Sequence, residues 1–272
     1  MTLIQSILLG IVQGVTEFLP VSSSGHLVLV PYLLGWDLHS ENMFFFFVLV
    51  QVASLVGVFA YFWMDILAIL KAFVGGILSK TPFEDADSRL GWYIIVATIP
   101  AGIIGLILKN AVEAAFSSPV ATGVFLCATA ALLFIAERTG RRERDIEKLS
   151  WQDALWIGVF QALAIFPGVS RSGATITGGM LRNLNRPVAA HFAFLMSIPV
   201  MLAAGLLTVL DLSWSTTLSQ ELPVFAAGFL VSSITSYLAI KWLLNFLKGH
   251  SLYPFAVYCF LLGLLVMGVF IL

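Results

Sequence analysis

Two short stretches decide how this chain is read: Leu19-Pro20-Val21-Ser22-Ser23-Ser24-Gly25-His26 and Pro167-Gly168-Val169-Ser170-Arg171-Ser172-Gly173. Each interrupts a long apolar segment, residues 3–35 in the first case and 155–184 in the second. Proline, glycine and consecutive serines break a helix. Each flanking half is about 10–16 residues, short of the ~20 that cross a hydrocarbon core and suited to a re-entrant helical hairpin. Irregular backbone at membrane depth is tolerated only where protein or a water-filled cavity covers it, so both breaks belong in the interior.

The rest of the chain supports a bilayer as solvent. Its 272 residues are 60% hydrophobic and 11% charged, with a formal net charge of −1 and a mean hydropathy of +0.99. A soluble domain carries about 25% charged residues. A chain this apolar lacks the polar surface to coat a globule in water. The charge balance excludes a nucleic-acid partner, which requires a basic face. Apolar runs near 43–63, 90–108, 117–136, 188–210, 223–247 and 252–272 each match one membrane span. A weaker run, 65–78, holds Asp65 and Lys71 and reads as a connecting helix at the interface. Cys127 and Cys259 lie in apolar runs and read as small core residues rather than a disulfide or a metal pair. No basic residue precedes the first apolar run, so that run is expected to belong to the mature fold.

Charge sets the orientation. Twelve of the fourteen Lys and Arg residues fall in the connections 71–89, 138–148, 182–186 and 241–248. The connections near 37–41, 109–113 and 211–221 hold only Lys109, and Arg171 lies within the membrane. The positive-inside rule puts the first group in the cytoplasm. Both termini are then outside, provided that each broken segment enters and leaves on one face.

An internal repeat fits this topology. At a spacing of 148 residues Gln13 falls on Gln161, Phe18 on Phe166, Val21 on Val169, Ser22 on Ser170, Ser24 on Ser172 and Gly25 on Gly173. Each copy is one broken segment plus three spans, and an odd number inverts the second copy. The expected fold is an all-α integral membrane protein with six transmembrane helices and two re-entrant hairpins in an inverted-topology repeat. Repeat one covers about 1–136 and repeat two about 151–272 of a single domain, joined by a cytoplasmic loop at 137–150. Hairpins entering from opposite faces bring their tips together near the midplane.

The breaks also carry the chemistry. Glu17 is a carboxylate in an apolar segment, and Arg171 is a guanidinium in the other hairpin; each is costly to bury alone. A purely structural ion pair is one reading. The hydroxyls of Ser22, Ser23, Ser24, Ser170, Ser172 and Thr175 at the same place point to another: helix N-termini, serines and a planar guanidinium fork suit a phosphate. His26 opens the half-helix after the serines and can act as a general acid. Gln13 and Glu17 are four apart, on one helical face, and could hold a metal ion or orient a hydroxyl. One carboxylate and one amide make a thin metal site, so a divalent ion would also need substrate phosphates. No nucleotide-binding glycine loop ending in Lys-Ser/Thr and no His-Glu-x-x-His occurs, which excludes those two chemistries from the reading.

Gln13-x-x-x-Glu17 followed by Pro20-Val-Ser-Ser-Ser-Gly-His26, with Pro167-Gly-Val-Ser-Arg-Ser-Gly-Ala-Thr175, resembles the bacterial undecaprenyl-diphosphate phosphatase family, also known for bacitracin resistance. The likeness covers the whole chain in length, motif order and repeat. It implies a multi-pass enzyme of the bacterial inner membrane. That enzyme hydrolyses undecaprenyl diphosphate to the monophosphate, recycling the lipid carrier of cell-wall peptidoglycan synthesis. It also implies a divalent cation, Mg²⁺ or Ca²⁺, and a site opening to the outer face. Carried over, Ser23 is the nucleophile, Glu17 its base or a metal ligand with Gln13, and His26 the acid or the helper of a water. Arg171 binds the phosphates, with Ser22, Ser24, Ser170, Ser172 and Thr175 as donors. Some members of the family have Glu where Gln13 stands here. Direct attack by water, with Ser23 only a donor, is the alternative mechanism. The alternative function is a secondary transporter or lipid flippase, since inverted repeats with broken helices also serve transport. The polyprenyl diphosphate and the bilayer are the expected partners, and a homodimer is left open. The type-2 acid phosphatases are excluded: they need a second His followed by Asp, and His191 has Leu195 four residues on.

Overall fold

A computed structural model describes residues 1–36, 43–108, 111–112, 115, 118–210 and 216–271. The connections at 37–41, 109–113 and 211–221, with Lys109 and Trp214, lie wholly or partly outside these residues.

Among the described residues there are eleven α-helices and no β-strand. In chain order they are α1 (Leu3–Phe18), α2 (Ser23–Leu33), α3 (Met43–Tyr61), α4 (Trp63–Leu78), α5 (Ala86–Ile107) and α6 (Pro119–Thr139). The second half holds α7 (Trp151–Leu163), α8 (Arg171–Leu181), α9 (Arg186–Leu210), α10 (Thr216–Leu247) and α11 (Tyr253–Ile271). Five of them, α5, α6, α9, α10 and α11, are each long and apolar enough to cross a membrane. A sixth span is reached if α3 is taken with α4, which leaves it at 83°. The weaker run at 65–78 is helical, as part of α4.

The outer surface has the polarity of a protein in lipid. Leu106, Ile107, Leu206, Leu207 and Leu230 are exposed, while Gln13, Glu17, Ser54, Thr129, Ser170 and Ser232 are buried. Polar groups that water would normally solvate are turned inward to partners, as hydrocarbon requires. The chain is a multi-pass membrane protein.

Both expected breaks are present, and their boundaries repeat at the same 148-residue spacing. Helices α1 and α7 open at residues 3 and 151, each on a capping box, Thr2 with Gln5 and Ser150 with Asp153. After the breaks, α2 covers 23–33 and α8 covers 171–181, capped by Ser22 and Ser170. Each pair of half-helices packs together as a hairpin.

Small residues let the hairpins press against the spans. A side chain at Gly10 would come within 2.6 Å of the Gly228 carbonyl, and one at Gly14 within 2.6 Å of the Ser232 carbonyl, both on α10. Ser6 Oγ donates to the Val224 carbonyl of that helix at 2.6 Å. The second hairpin does the same on α5: a side chain at Gly158 would meet the Ala97 carbonyl at 2.5 Å. Close backbone approach of this kind replaces the hydrophobic effect, which lipid does not supply between helices. The first hairpin therefore rests on a late helix and the second on an early one.

On the side bearing the basic connections, two carboxylates tie the loop 137–150 down. Asp153 is bound by Arg144 at 2.7 Å and by Arg182 at 2.5 Å. Glu137 is held by Arg186 through both oxygens, at 2.7 and 2.6 Å, and accepts from the Leu252 backbone N–H at 2.7 Å. Burial pushes the Asp153 carboxyl up, but hydrogen bonds from Arg144, Arg182 and Ser150 outweigh it and hold it well below the usual carboxylate range.

Candidate active site

The geometry at the breaks starts from backbone chemistry. Pro20 cannot continue a helix, and Leu19 before it is extended, at φ −63 and ψ 141, so α1 stops at Phe18. The chain then turns through Ser22 in the left-handed region, at φ 69. That conformation is uncommon for a residue with a side chain and costs on the order of 1–3 kcal/mol. The second break reverses at Gly168 instead, at φ 96, where no side chain is strained. Ser22 Oγ accepts from the Gly25 N–H at 3.4 Å, and Ser170 Oγ from the Gly173 N–H at 3.1 Å. These two serines begin the second half-helices.

The two breaks touch. Ser172 Oγ donates to the Leu19 carbonyl at 3.0 Å, and the Gly168 N–H reaches Ser24 Oγ at 3.5 Å. Thr129, on α6, buttresses the second break: its Oγ1 donates to the Gly168 carbonyl at 3.1 Å and accepts from the Ser170 N–H at 2.9 Å. The first residue of α2 is Ser23 and the first residue of α8 is Arg171, so the packed breaks bring these two side chains together.

Glu17 is where they meet. Its Oε2 accepts from Ser23 Oγ at 2.6 Å and from Gln13 Nε2 at 2.6 Å. Its Oε1 is paired with Arg171 Nη2 from the opposite hairpin. Gln13 also donates to Ser54 Oγ on α3, at 3.3 Å. The Glu17 side chain is 3% exposed and that of Arg171 is 15%. A carboxylate so buried is tolerable because a cation and two neutral donors surround it. The arrangement gives a hydroxyl with a carboxylate base in hydrogen-bond contact, beside a guanidinium that can neutralise an anion.

His26 sits one turn beyond Ser23 and is 8% exposed. Its Nδ1 is 2.7 Å from the Ser22 carbonyl, and its Nε2 is 2.6 Å from the hydroxyl of Tyr258 on α11. The remaining expected phosphate donors are close by, but most of their hydroxyls hold backbone. Thr175 Oγ1 donates to the Arg171 carbonyl at 2.8 Å, and Ser22 and Ser170 serve as caps. The structure thus brings Gln13, Glu17, Ser23 and Arg171 into one bonded cluster, with His26 in the next turn. Thr175 lies a turn into α8, facing its own backbone.

The chain matches the family model described as bacitracin resistance protein BacA over residues 6–265. The chain belongs to the BacA family. Curated relatives carry the name undecaprenyl-diphosphatase. The one from Methanosphaera stadtmanae is 42% identical over 97% of this chain and 96% of its own length. Those from Chloroherpeton thalassium and Thermomicrobium roseum are each 40% identical, over 98% and 97% of this chain and 96% of their own lengths.

A divalent cation, which the resemblance implied for a BacA protein, does not fit the protein donors as they stand. Mg²⁺ takes six oxygen ligands and Ca²⁺ six to eight. Gln13 turns its NH₂ toward Glu17, and both oxygens of Glu17 are engaged by Arg171, Ser23 and Gln13. Among the described residues no three His, Cys, Asp or Glu side chains come together as a metal-holding group.

Sequence reasoning missed Tyr258, Thr129 and Ser54. Each stands on a long apolar helix, far from both motifs in the chain, with no local signature. Only the packing of α3, α6 and α11 around the breaks reveals them.

Proposed function

We infer that this BacA protein hydrolyses undecaprenyl diphosphate to undecaprenyl phosphate and inorganic phosphate, with Ser23 as nucleophile. The activity is that named for relatives that match over 97% and 98% of the chain. The observation that carries the mechanism is Glu17 itself, with Ser23 Oγ at 2.6 Å on one oxygen and Arg171 on the other.

In the free protein Arg171 compensates Glu17. An incoming diphosphate supplies a stronger anion, and the guanidinium fork turns toward it. Glu17, relieved of its cation, becomes a better base. It takes the Ser23 proton as Oγ bonds to the terminal phosphorus and the bridging P–O bond breaks. Undecaprenyl phosphate leaves as an anion and needs no proton. Arg171 and the N–H groups opening α2 and α8 offset charge on the phosphoryl oxygens. Water, with His26 as base, then attacks the phosphoserine. Its P–O bond to Oγ breaks, and Oγ recovers the proton from Glu17.

The finer topology belongs to the same proposal: six spans and two re-entrant hairpins in an inverted repeat, the termini outside and the site open to the outer face of the inner membrane. The repeated caps and helix starts support the repeat, and the basic loops support the orientation.

Phosphate release from a polyprenyl diphosphate, measured on detergent-purified protein with Mg²⁺, Ca²⁺ or chelator, tests the activity. Lipid binding without any phosphate release in all three conditions refutes it. Stoichiometric ³²P labelling of Ser23 from terminally labelled substrate, in rapidly quenched reactions, tests the nucleophile.

A further inference from the structure

Both ring nitrogens of His26 are occupied, and this fixes what the residue can do. Nδ1 faces a backbone carbonyl at 2.7 Å. A carbonyl has no hydrogen to give, so Nδ1 carries one and donates it. In the neutral ring Nε2 is then the acceptor, and the Tyr258 hydroxyl at 2.6 Å donates to it. The ring planes are parallel to within 6°. Neither nitrogen of this nearly buried ring is free to meet a water. The Tyr258 hydroxyl is the group in front of Nε2.

We propose that Tyr258 is the outer member of a two-residue proton relay, passing a proton between the attacking water and His26. This rests on the reading of His26 as the base for the second step. As the water oxygen bonds to phosphorus, a water proton moves to the Tyr258 oxygen. The proton already on Tyr258 moves to His26 Nε2, while Nδ1 keeps its own on the Ser22 carbonyl. The P–O bond to Ser23 breaks, and Ser23 Oγ takes its proton from Glu17. Tyr258 ends neutral, and His26 ends as an imidazolium with both nitrogens donating. Reversal of the relay to solvent restores the ring after phosphate leaves. A phenol suits this place because one oxygen can accept and donate at once, which a phenylalanine cannot.

Tyr258→Phe keeps the ring and removes only the hydroxyl. The relay predicts that kcat falls by about a hundredfold or more, within the range for general acid–base groups. KM should fall with kcat and kcat/KM should stay within about twofold, since the relay acts only on breakdown of the phosphoserine. The solvent deuterium effect on kcat should also shrink, with one proton fewer in flight. In a His26→Ala background the same change should cost nothing further, because the relay has already lost its inner end. Unchanged kcat in Tyr258→Phe, with a large loss in His26→Ala, overturns the relay and leaves His26 as base. Full activity of His26→Ala overturns the base itself, and the relay with it. Equal losses from Tyr258→Phe in both backgrounds also overturn the relay, since the hydroxyl would then act independently of the ring.

Discussion

Replacing Arg171 by Met should separate the two jobs of this guanidinium. In the free protein it compensates a carboxylate whose side chain is 3% exposed. Unit charges about 4 Å apart attract by about 4 kcal/mol at an effective dielectric of about 20. Removing one partner of a buried pair costs about 3–5 kcal/mol, because the other charge is stranded. Glu17 would keep its bonds to Ser23 and Gln13, both at 2.6 Å, so the loss belongs near the lower end, about 3 kcal/mol. Adding Glu17→Gln removes the stranded charge. The double variant should return to within about 1 kcal/mol of wild type. Its phosphatase activity should stay down by about a thousandfold or more, the scale of an arginine acting on a phosphoryl transition state. Unfolding by SDS titration from mild detergent micelles reads the stability, and phosphate release reads the activity. Arg171→Met as stable as wild type would refute the charge-compensation argument. So would a double variant no more stable than Arg171→Met alone. Recovery of turnover in the double variant would refute the role given to Arg171 at the phosphates.

Ser23→Ala should fold normally and lose about a thousandfold or more in turnover together with ³²P labelling; normal turnover would leave attack by water as the mechanism. Gln13→Glu puts a second carboxylate where an amide now bonds Glu17 at 2.6 Å, so stability should drop by about 1–3 kcal/mol without cation and recover on titration with Mg²⁺ or Ca²⁺, read by SDS unfolding. Gly14→Val should separate α1 from α10, because its Cβ would lie 1.9 Å from Thr235 Oγ1 and 2.6 Å from the Ser232 carbonyl; the protein should fail to reach the detergent-soluble fraction or unfold early. Asp153 has its folded pKa depressed, so its contribution is present at neutral pH and is lost as pH falls below the ordinary carboxylate value near 4. Asp153→Asn should therefore be less stable than wild type at pH 7, and the gap should narrow toward pH 3 in unfolding titrations.

What could be read without coordinates follows from locality. The breaks are legible because proline, glycine and serine act on their own neighbours, and α1 ends one residue before Leu19-Pro20, at Phe18. The spans are legible because twenty apolar residues have one use in a bilayer. The pairing of Glu17 with Arg171 is legible from cost: each buried charge needs a partner, and these two are the carboxylate and the guanidinium standing beside the breaks. The spent hydroxyls are harder. Thr175 reads as a phosphate donor by composition, but a threonine inside a helix has its own carbonyls within reach, and Oγ1 bonds Arg171 O at 2.8 Å. Tyr258 lies outside what sequence can give. Nothing in Tyr253–Ile271 distinguishes it from other aromatic residues on a span, and its link to His26 exists only once α11 is seated beside the first hairpin.

The 148-residue spacing divides the site into what is repeated and what is not. Apart from Gln13, which bonds Glu17, the repeated positions named here hold backbone: Thr2 and Ser150 open the first half-helices, Ser22 and Ser170 cap the second, and Gly25 and Gly173 supply the N–H groups those caps receive. Positions that differ carry charge and proton chemistry. Glu17 corresponds to Ile165, Ser23 to Arg171 and His26 to Ala174. A single carboxylate therefore faces the first residue of both second half-helices, a hydroxyl from its own hairpin and a guanidinium from the other. Had both hairpins kept the carboxylate, two buried like charges would compete for the same cations. Had both kept the serine, Glu17 would lack a cation to permit its burial. The asymmetry of side chains between the two similar breaks is what gives the proposed base, nucleophile and anion clamp one meeting point.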